Sequence, residues 1–293
     1  MSLLEQILGA VIPVLAAVAI GFAWVRSGRP FESAALVTLV ADLSTPCLVF
    51  ANLARASIPR QDFTVMALAT CAMLLGFALL GAGLLGCFKM RHRTFLPAIV
   101  FPNTGNLGLP MALSVFGPPG LSYAIVIFTV IAIANFTVGQ ALAAGIANWR
   151  GLLRMPLIYA ALAGTLVTYL AIPLPRWLID TCALIGGMSV PLMLLMLGAS
   201  LARLKVAAMQ RAGIVSALRF GIGIAVGSLV CLLFGLTGLA RSSLLLQCAM
   251  PVAVNNYLFA LRWNNDPAEV AGTVVVSTLA SVVTVPALLW FLL

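Results

Sequence analysis

The sequence predicts an all-α integral membrane protein: ten transmembrane helices forming two inverted repeats of five, with the fourth and ninth helices broken in mid-span. Three observations carry this expectation. The 293-residue chain is 63% hydrophobic and only 8% charged, with a mean hydropathy of +1.16; a soluble domain of this size needs far more charge to coat its surface. Apolar runs of spanning length alternate with short polar joints, as expected when roughly 20 residues must cross the hydrocarbon. Landmark residues of the first half also recur, in order, in the second.

Ten runs meet the length requirement. They are Leu3–Val25, Glu32–Ala54, Phe63–Phe88, Thr94–Phe116, Gly120–Ala147, Leu152–Ile172, Pro175–Leu201, Gly213–Gly235, Ser242–Trp263 and Ala268–Leu293. The first follows Met1-Ser2-Leu3-Leu4-Glu5, which has no basic segment, so it is expected as a span and not a leader. Short joints leave no room for a soluble domain or a long linker. The basic residues set the orientation. Joints one, three, five, seven and nine carry Arg26, Arg29, Lys89, Arg91, Arg93, Arg150, Arg154, Arg203, Lys205, Arg211 and Arg262. The even joints carry only Arg55, Arg60, Arg176 and Arg241. Arg219, six residues into the eighth run, is expected to snorkel to the face of the odd joints. The positive-inside rule then makes the odd joints cytoplasmic. Both termini are expected outside, and a Gram-negative host would place the chain in its inner membrane. The net charge of +9 and pI near 9.9 reflect this bias and do not point to nucleic acid. Cys47, Cys71, Cys87, Cys182, Cys231 and Cys248 fall within or at the ends of runs, without metal-ligand spacing, and are expected as buried packing residues.

The repeat rests on four matches. Pro13, in Ile12-Pro13-Val14-Leu15-Ala16-Ala17, resembles Pro156, in Met155-Pro156-Leu157-Ile158-Tyr159-Ala160-Ala161. Leu43-Ser44-Thr45-Pro46-Cys47-Leu48 resembles Met188-Ser189-Val190-Pro191-Leu192-Met193. Phe101-Pro102-Asn103-Thr104-Gly105-Asn106-Leu107 resembles Met250-Pro251-Val252-Ala253-Val254-Asn255-Asn256, and Ile127–Ala132 resembles Val276–Ser281. The offsets of 143, 145, 149 and 149 residues grow slowly, as small insertions would make them do. A unit of five spans is odd-numbered, so its second copy enters from the opposite face. Residues 1–149 and 150–293 are the expected units. Inverted repeats of this kind build many secondary transporters.

Intramembrane polar residues mark function, because the bilayer penalises unpaired polar groups. Span four holds the densest cluster, Phe101-Pro102-Asn103-Thr104-Gly105-Asn106-Leu107-Gly108-Leu109-Pro110. Pro102 removes a backbone donor, and Gly105 and Gly108 permit unwound backbone. Span nine has the second break at Pro251, followed by Asn255 and Asn256, with Gln247 one turn before it. Paired breaks in corresponding positions point to a transport site. Their half-helix N-termini aim N–H groups and a partial positive charge at the midplane, which suits a carboxylate. The bland alternative is a pair of packing kinks whose Asn side chains cap freed backbone. Asn135 and Gln140 are candidate liners from span five; Thr129, Thr137, Ser277, Thr278, Ser281 and Thr284 either line the site or bond their own helices. Asp42 is the carboxylate placed deepest within a span, before Ser44-Thr45-Pro46, and is a candidate proton carrier or a helix cap. Glu5, Glu32, Asp62, Asp180, Asp266 and Glu269 lie near span ends.

Other motifs carry no chemistry. Gly81-Ala82-Gly83-Leu84-Leu85-Gly86 matches a dinucleotide-binding pattern but lies inside an apolar helix, and Gly223 and Gly227 read as a close helix contact. Asn135-Phe136-Thr137 is a glycosylation triplet buried in a span. His92 has no partners for a metal or a catalytic triad, and there is no nucleotide-binding loop. No enzyme activity, metal or cofactor is expected.

The ten spans, Pro102-Asn103-Thr104-Gly105-Asn106 and the paired break from Pro251 to Asn256 resemble the auxin efflux carrier family, which includes plant PIN-type carriers and bacterial malonate permeases. The resemblance implies a fold shared with bile acid:sodium symporters. In that fold spans four and nine cross at their breaks. Spans one, two, six and seven form a scaffold, and the remaining transport bundle moves against it in an elevator-like manner. It also implies that Asn103, Asn106, Asn255 and Asn256 bind substrate; Thr104, Gly105 and Asn135 complete the expected site. Asp42, Gln247, Thr129 and Thr278 are the candidates for ion coupling. The sodium-coupled relatives use acidic and amide residues around the second break, and this chain offers Gln247 but no carboxylate there, so H+ coupling, Na+ coupling and uniport all stay open. The expected function is a secondary carrier of small organic anions, auxin- or malonate-like carboxylates, working by alternating access. The alternatives are a sodium- or proton-coupled dicarboxylate symporter and a non-transporting receptor with a transporter fold. The lipid bilayer and the anion are the expected partners, and a homodimer is left open.

Overall fold

The computed structural model describes residues 3–55, 60–144, 155–170, 172–203 and 209–292, and among them its regular elements are all helices, with no strand. Helix α1 spans Leu3–Arg26. The second expected span is composite: α2 (Ser33–Leu39), a π-helical turn (Val40–Ser44) and α3 (Thr45–Arg55). Pro46 explains the widened turn, since its ring would clash with the carbonyl of Asp42 in a regular helix. Next come α4 (Arg60–Cys87), α5 (His92–Val100), a π turn (Thr104–Gly108) and α6 (Leu109–Ala134). Gly117, with φ 66° and ψ −164° ahead of Pro118-Pro119, bends α6 and separates the fourth expected span from the fifth; only glycine adopts that backbone readily. A π turn (Asn135–Gly139) and α7 (Gln140–Ala144) follow.

The second half runs α8 (Pro156–Leu170), α9 (Arg176–Gly186), α10 (Ser189–Arg203), α11 (Met209–Leu233), α12 (Gly238–Cys248), α13 (Val254–Trp263) and α14 (Pro267–Leu292). Among the described residues, six helical stretches are long and apolar enough to cross a membrane, and Val11–Arg26 and Pro156–Val167 are shorter apolar helices. The chain is therefore a multi-pass membrane protein. Fewer than ten stretches qualify because Thr104–Ala143 holds parts of two expected spans and the ninth is split between α12 and α13. Of the expected spans, residues 145–147, 152–154, 171 and 293 lie outside the described residues, as do the basic-joint residues Arg150 and Lys205.

Two packed groups organise the helices. In the first, α1 lies along α10, and α3 lies along α8 and α9. Contact there is backbone to backbone: a Cβ at Gly198 would overlap the carbonyl oxygen of Val18. Ser44 Oγ meets Ser189 Oγ at 2.7 Å and donates to Ile185 O at 2.9 Å. The second group packs α11 against α4 and α14, and α12 against α6. Gly223 and Gly227 face Cys248 on α12, the close contact expected of that pair. The outer faces present Leu75, Leu79, Leu232 and Phe291, apolar side chains that suit lipid.

Polar pairs stitch the two ends. Arg55 pairs with Asp180, Arg91 with Asp266 at 3.0 Å, and Arg211 with Glu269 at 2.8 Å. Tyr123 donates to Asp62 at 2.9 Å. The cysteine expectation needs correcting. Cys231 and Cys248 are buried, Cys47 and Cys182 are half-buried, and Cys71 and Cys87 are exposed. Their runs are apolar all round, so composition could not tell core from lipid. Replacing Gly198 with Leu should cost about 1–3 kcal/mol through overpacking. A detergent thermal melt of the purified variant will show this as a lowered midpoint.

Candidate functional site

The two breaks meet. Helix α5 ends at Val100 and α12 at Cys248, and the chain is extended at Phe101 (φ −108°, ψ 97°) and Ala253 (φ −68°, ψ 139°). There Asn103 N donates to Pro251 O at 2.7 Å and Ala253 N donates to Phe101 O at 3.3 Å, pairing Pro102 with Val252 in a single antiparallel bridge. Each break thus satisfies backbone groups of the other, where no water would do so in hydrocarbon. Neither proline has an N–H to satisfy. Three side chains brace the crossing. Asn256 Nδ2 donates to Phe101 O at 3.0 Å, Gln247 Nε2 to Gly108 O at 3.0 Å, and Ser277 Oγ accepts from Val252 N at 3.1 Å.

Asn103 caps the second half of span four: its Oδ1 accepts from Asn106 N at 3.2 Å. Its Nδ2 has no partner although the residue is only 3% exposed. Gly105 and Gly108 do not unwind the chain, as their sequence suggested. They sit in the π turn and allow close approach, a Cβ at Gly108 overlapping Gln247 Oε1 and one at Gly105 standing 3.0 Å from Phe128.

Beside the crossing lies a cavity of about 230 Å³. Pro102, Asn103, Thr104, Gly105 and Asn106 line one side, and Ala253, Val254 and Asn255 the other. Asn135, Phe128, Ile131 and Ala132 add a wall from span five, and Val37, Val40, Ala41, Thr45, Met193, Met196 and Ser200 add one from the first packed group. Each of the three π turns contributes to this wall, in keeping with the tendency of such turns to occur at functional sites. Asn135 Oδ1 is buried without a donor. Among the described residues, none of the lining side chains is charged.

The structure sorts the sequence-predicted residues. Asn103, Thr104, Gly105, Asn106, Asn135 and Asn255 line the cavity. Asn256 does not; it is buried one position on and braces the crossing. Gln247 is buried behind the crossing. Thr129, Thr137 and Thr278 donate to the carbonyls of Ile125, Ile133 and Val274 in their own helices, away from the cavity. Asp42 is exposed and off the cavity wall, because the π turn points its neighbours Val40 and Ala41 inward instead. The side chain of Gln140 lies outside the described residues. Thr45, Ser200, Met193 and Met196 were not anticipated; their small or flexible side chains carry no signal in an apolar run. Arg219 is the main correction. It does not snorkel but is fully buried, donating to Ile99 O at 2.9 Å and Cys248 O at 2.8 Å at the crossing.

A multi-pass helical protein with two interrupted helices joined at one crossing, beside a largely apolar cavity that several Asn and Thr side chains line, has the build of a membrane carrier. A family model described as a membrane transport protein matches the chain twice, over residues 6–145 and 140–289, and the chain belongs to that auxin efflux carrier-like family. No curated protein matches it.

Asn256→Ala should lower stability by about 1 kcal/mol through loss of the brace, read as a lowered midpoint in a detergent thermal melt of the purified variant.

Proposed function

We propose that this protein is a secondary carrier of small organic anions, in which the crossing holds the carboxylate and alternating access exchanges it between the faces. The observation that carries this reading is the buried, unpartnered Nδ2 of Asn103, a donor on the cavity wall at the start of a half-helix. A donor placed there costs stability unless something accepts from it, and the partial positive ends of two half-helices favour an anion. Asn106, Thr104, Asn255 and the backbone at Gly105 complete the candidate polar wall, while Phe128, Met193 and Leu258 suit an apolar body. Asn135, with its free acceptor, suits a hydroxyl or N–H on the substrate.

The ten-span inverted repeat is part of the proposal. Corresponding residues touch at two places, Ser44 with Ser189 and the two breaks with each other, as residues on a pseudo-twofold axis would. The contact of α1 with α10 pairs spans one and seven, and that of α3 with α8 pairs spans two and six, which are the same contact under exchange of the halves. These four spans are the proposed scaffold, and the others form the bundle that moves. Orientation follows the same logic. Arg91 with Asp266 and Arg211 with Glu269 join odd joints, whereas Arg55 with Asp180 and Asp62 with Tyr123 join even ones. With the odd, Arg-rich joints cytoplasmic, both described ends of the chain face outward.

In proteoliposomes, Asn103→Ala or Asn106→Ala should abolish anion flux while the protein stays folded. Asn103→Asp is sharper, since it retains the capping oxygen and replaces the donor with a negative charge. It should lower affinity at least about tenfold with little change in melting midpoint, read by ligand-induced thermal shift over mono- and dicarboxylates. Unchanged flux in all three variants removes the site. Asp42→Asn, by contrast, should keep both the flux and its pH dependence within about twofold of the parent.

A further inference from the structure

Arg219 is unexplained by anything above. Among the described residues it is the one fully buried cation, and a lone buried guanidinium is unstable unless negative charge meets it. None of the ion pairs among the described residues includes it. Its Nη1 and Nη2 donate instead to Ile99 O and Cys248 O, its Nε has no partner, and its Cζ lies 4.5 Å from the centroid of the Phe77 ring.

Those two carbonyls are a matched pair. In unbroken helices Ile99 O would accept from residue 103 and Cys248 O from residue 252. At the breaks both amides are diverted, Asn103 N to Pro251 O and Val252 N to Ser277 Oγ. The two arms of one guanidinium replace the hydrogen bond that each break removes. Two helix C-termini carry about half a negative charge each, so together they match one Arg. Gly223, one turn along α11, makes room, because a Cβ there would overlap Cys248 O.

With the ends of α5 and α12 neutralised, the starts of the second half-helices are left uncompensated. Each contributes about half a positive charge, and both border the cavity where Asn103 Nδ2 lacks an acceptor. Among the described residues, no lining side chain adds charge of either sign. We propose that Arg219 is the fixed counter-charge of the crossing: it ties the two half-helix C-termini together and leaves the cavity with a field suited to one negative charge, so the site takes a monoanion with an apolar body and disfavours a second carboxylate. This rests on the cavity being the anion site. Among the described residues, a second carboxylate would meet only uncharged walls such as Val37, Phe128 and Met193.

The field can be measured without a substrate. Asn255 is exposed on the first turn of α13 and lines the cavity. An N255C thiol reports the local potential through the pH dependence of its alkylation by an uncharged maleimide, with the parent chain as background for the native thiols. With Arg219 in place the thiol should titrate about one unit below its ordinary value of about 8.5. Arg219→Gln should move it up by about half a unit or more, and Arg219→Lys should hold it down. A purely structural Arg would lower the melting midpoint in both variants without splitting their titrations. A thiol at or above its ordinary value in the otherwise native chain overturns the proposal, even if Arg219→Gln does not fold; so does a titration indifferent to Arg219→Gln. In the chain with Asn255 restored, phenylacetate should bind at least about tenfold more tightly than phenylmalonate, which differs by one carboxylate. Equal binding overturns the single-charge preference. Failure of both anions to bind, beside a lowered thiol, overturns the anion-site reading and leaves the role of Arg219 at the crossing standing.

Discussion

The structure depends on an exchange of backbone hydrogen bonds. Pro102 and Pro251 stop their helices inside an apolar bundle, where freed amides and carbonyls have no water to turn to. The two stretches satisfy each other through Asn103 N to Pro251 O and Ala253 N to Phe101 O. Gln247, Asn256, Ser277 and Arg219 take up further groups around them. The buried polar side chains of this region are therefore largely consumed in making the crossing possible. Of the atoms left without a partner, Asn103 Nδ2, Asn135 Oδ1 and Thr45 Oγ1 belong to residues that line the cavity, while Gln247 Oε1, Asn256 Oδ1 and Arg219 Nε belong to residues off its wall.

The surrounding architecture serves the same constraint. Arg219 and Gly223 share one face of α11, so the helix approaches Cys248 closely at one turn and donates to its carbonyl from the previous one. The π turns at Val40–Ser44, Thr104–Gly108 and Asn135–Gly139 widen the backbone where the cavity needs a wall. The first packed group, by contrast, relies on small residues and the Ser44–Ser189 contact. In the proposed mechanism the first group is the fixed partner and the crossing bundle is the part that moves.

Much of this was legible in the sequence. Pro102 and Pro251 with their Asn neighbours announced the breaks, because a spanning helix tolerates such residues only where protein or a cavity surrounds them. The apolar runs and basic joints gave the helical membrane class, and the family match agrees with it. What stayed hidden depends on rotation and depth, which a run of apolar letters does not encode. Asn255 and Asn256 are about 100° apart on a helix, so one faces the cavity and the other the crossing. Arg219 lies near a span end by count, and only the packing of α11 against α12 turns it inward. Asp42 looked buried until the π turn before Pro46 rotated it away. Gly105 and Gly108 looked like unwinding signals, whereas Phe128 and Gln247 need the space.

The central claim is that a carboxylate sits where the two interrupted helices meet. An experimental structure of the protein with 4-bromophenylacetate tests it most directly, because anomalous scattering from bromine fixes the ligand's position and direction. The account predicts the carboxylate within hydrogen-bond reach of Asn103 Nδ2 and the bromophenyl ring among Phe128, Met193 and Leu258. Bromine located outside this cavity, or continuous helices through Pro102 and Pro251, would contradict it.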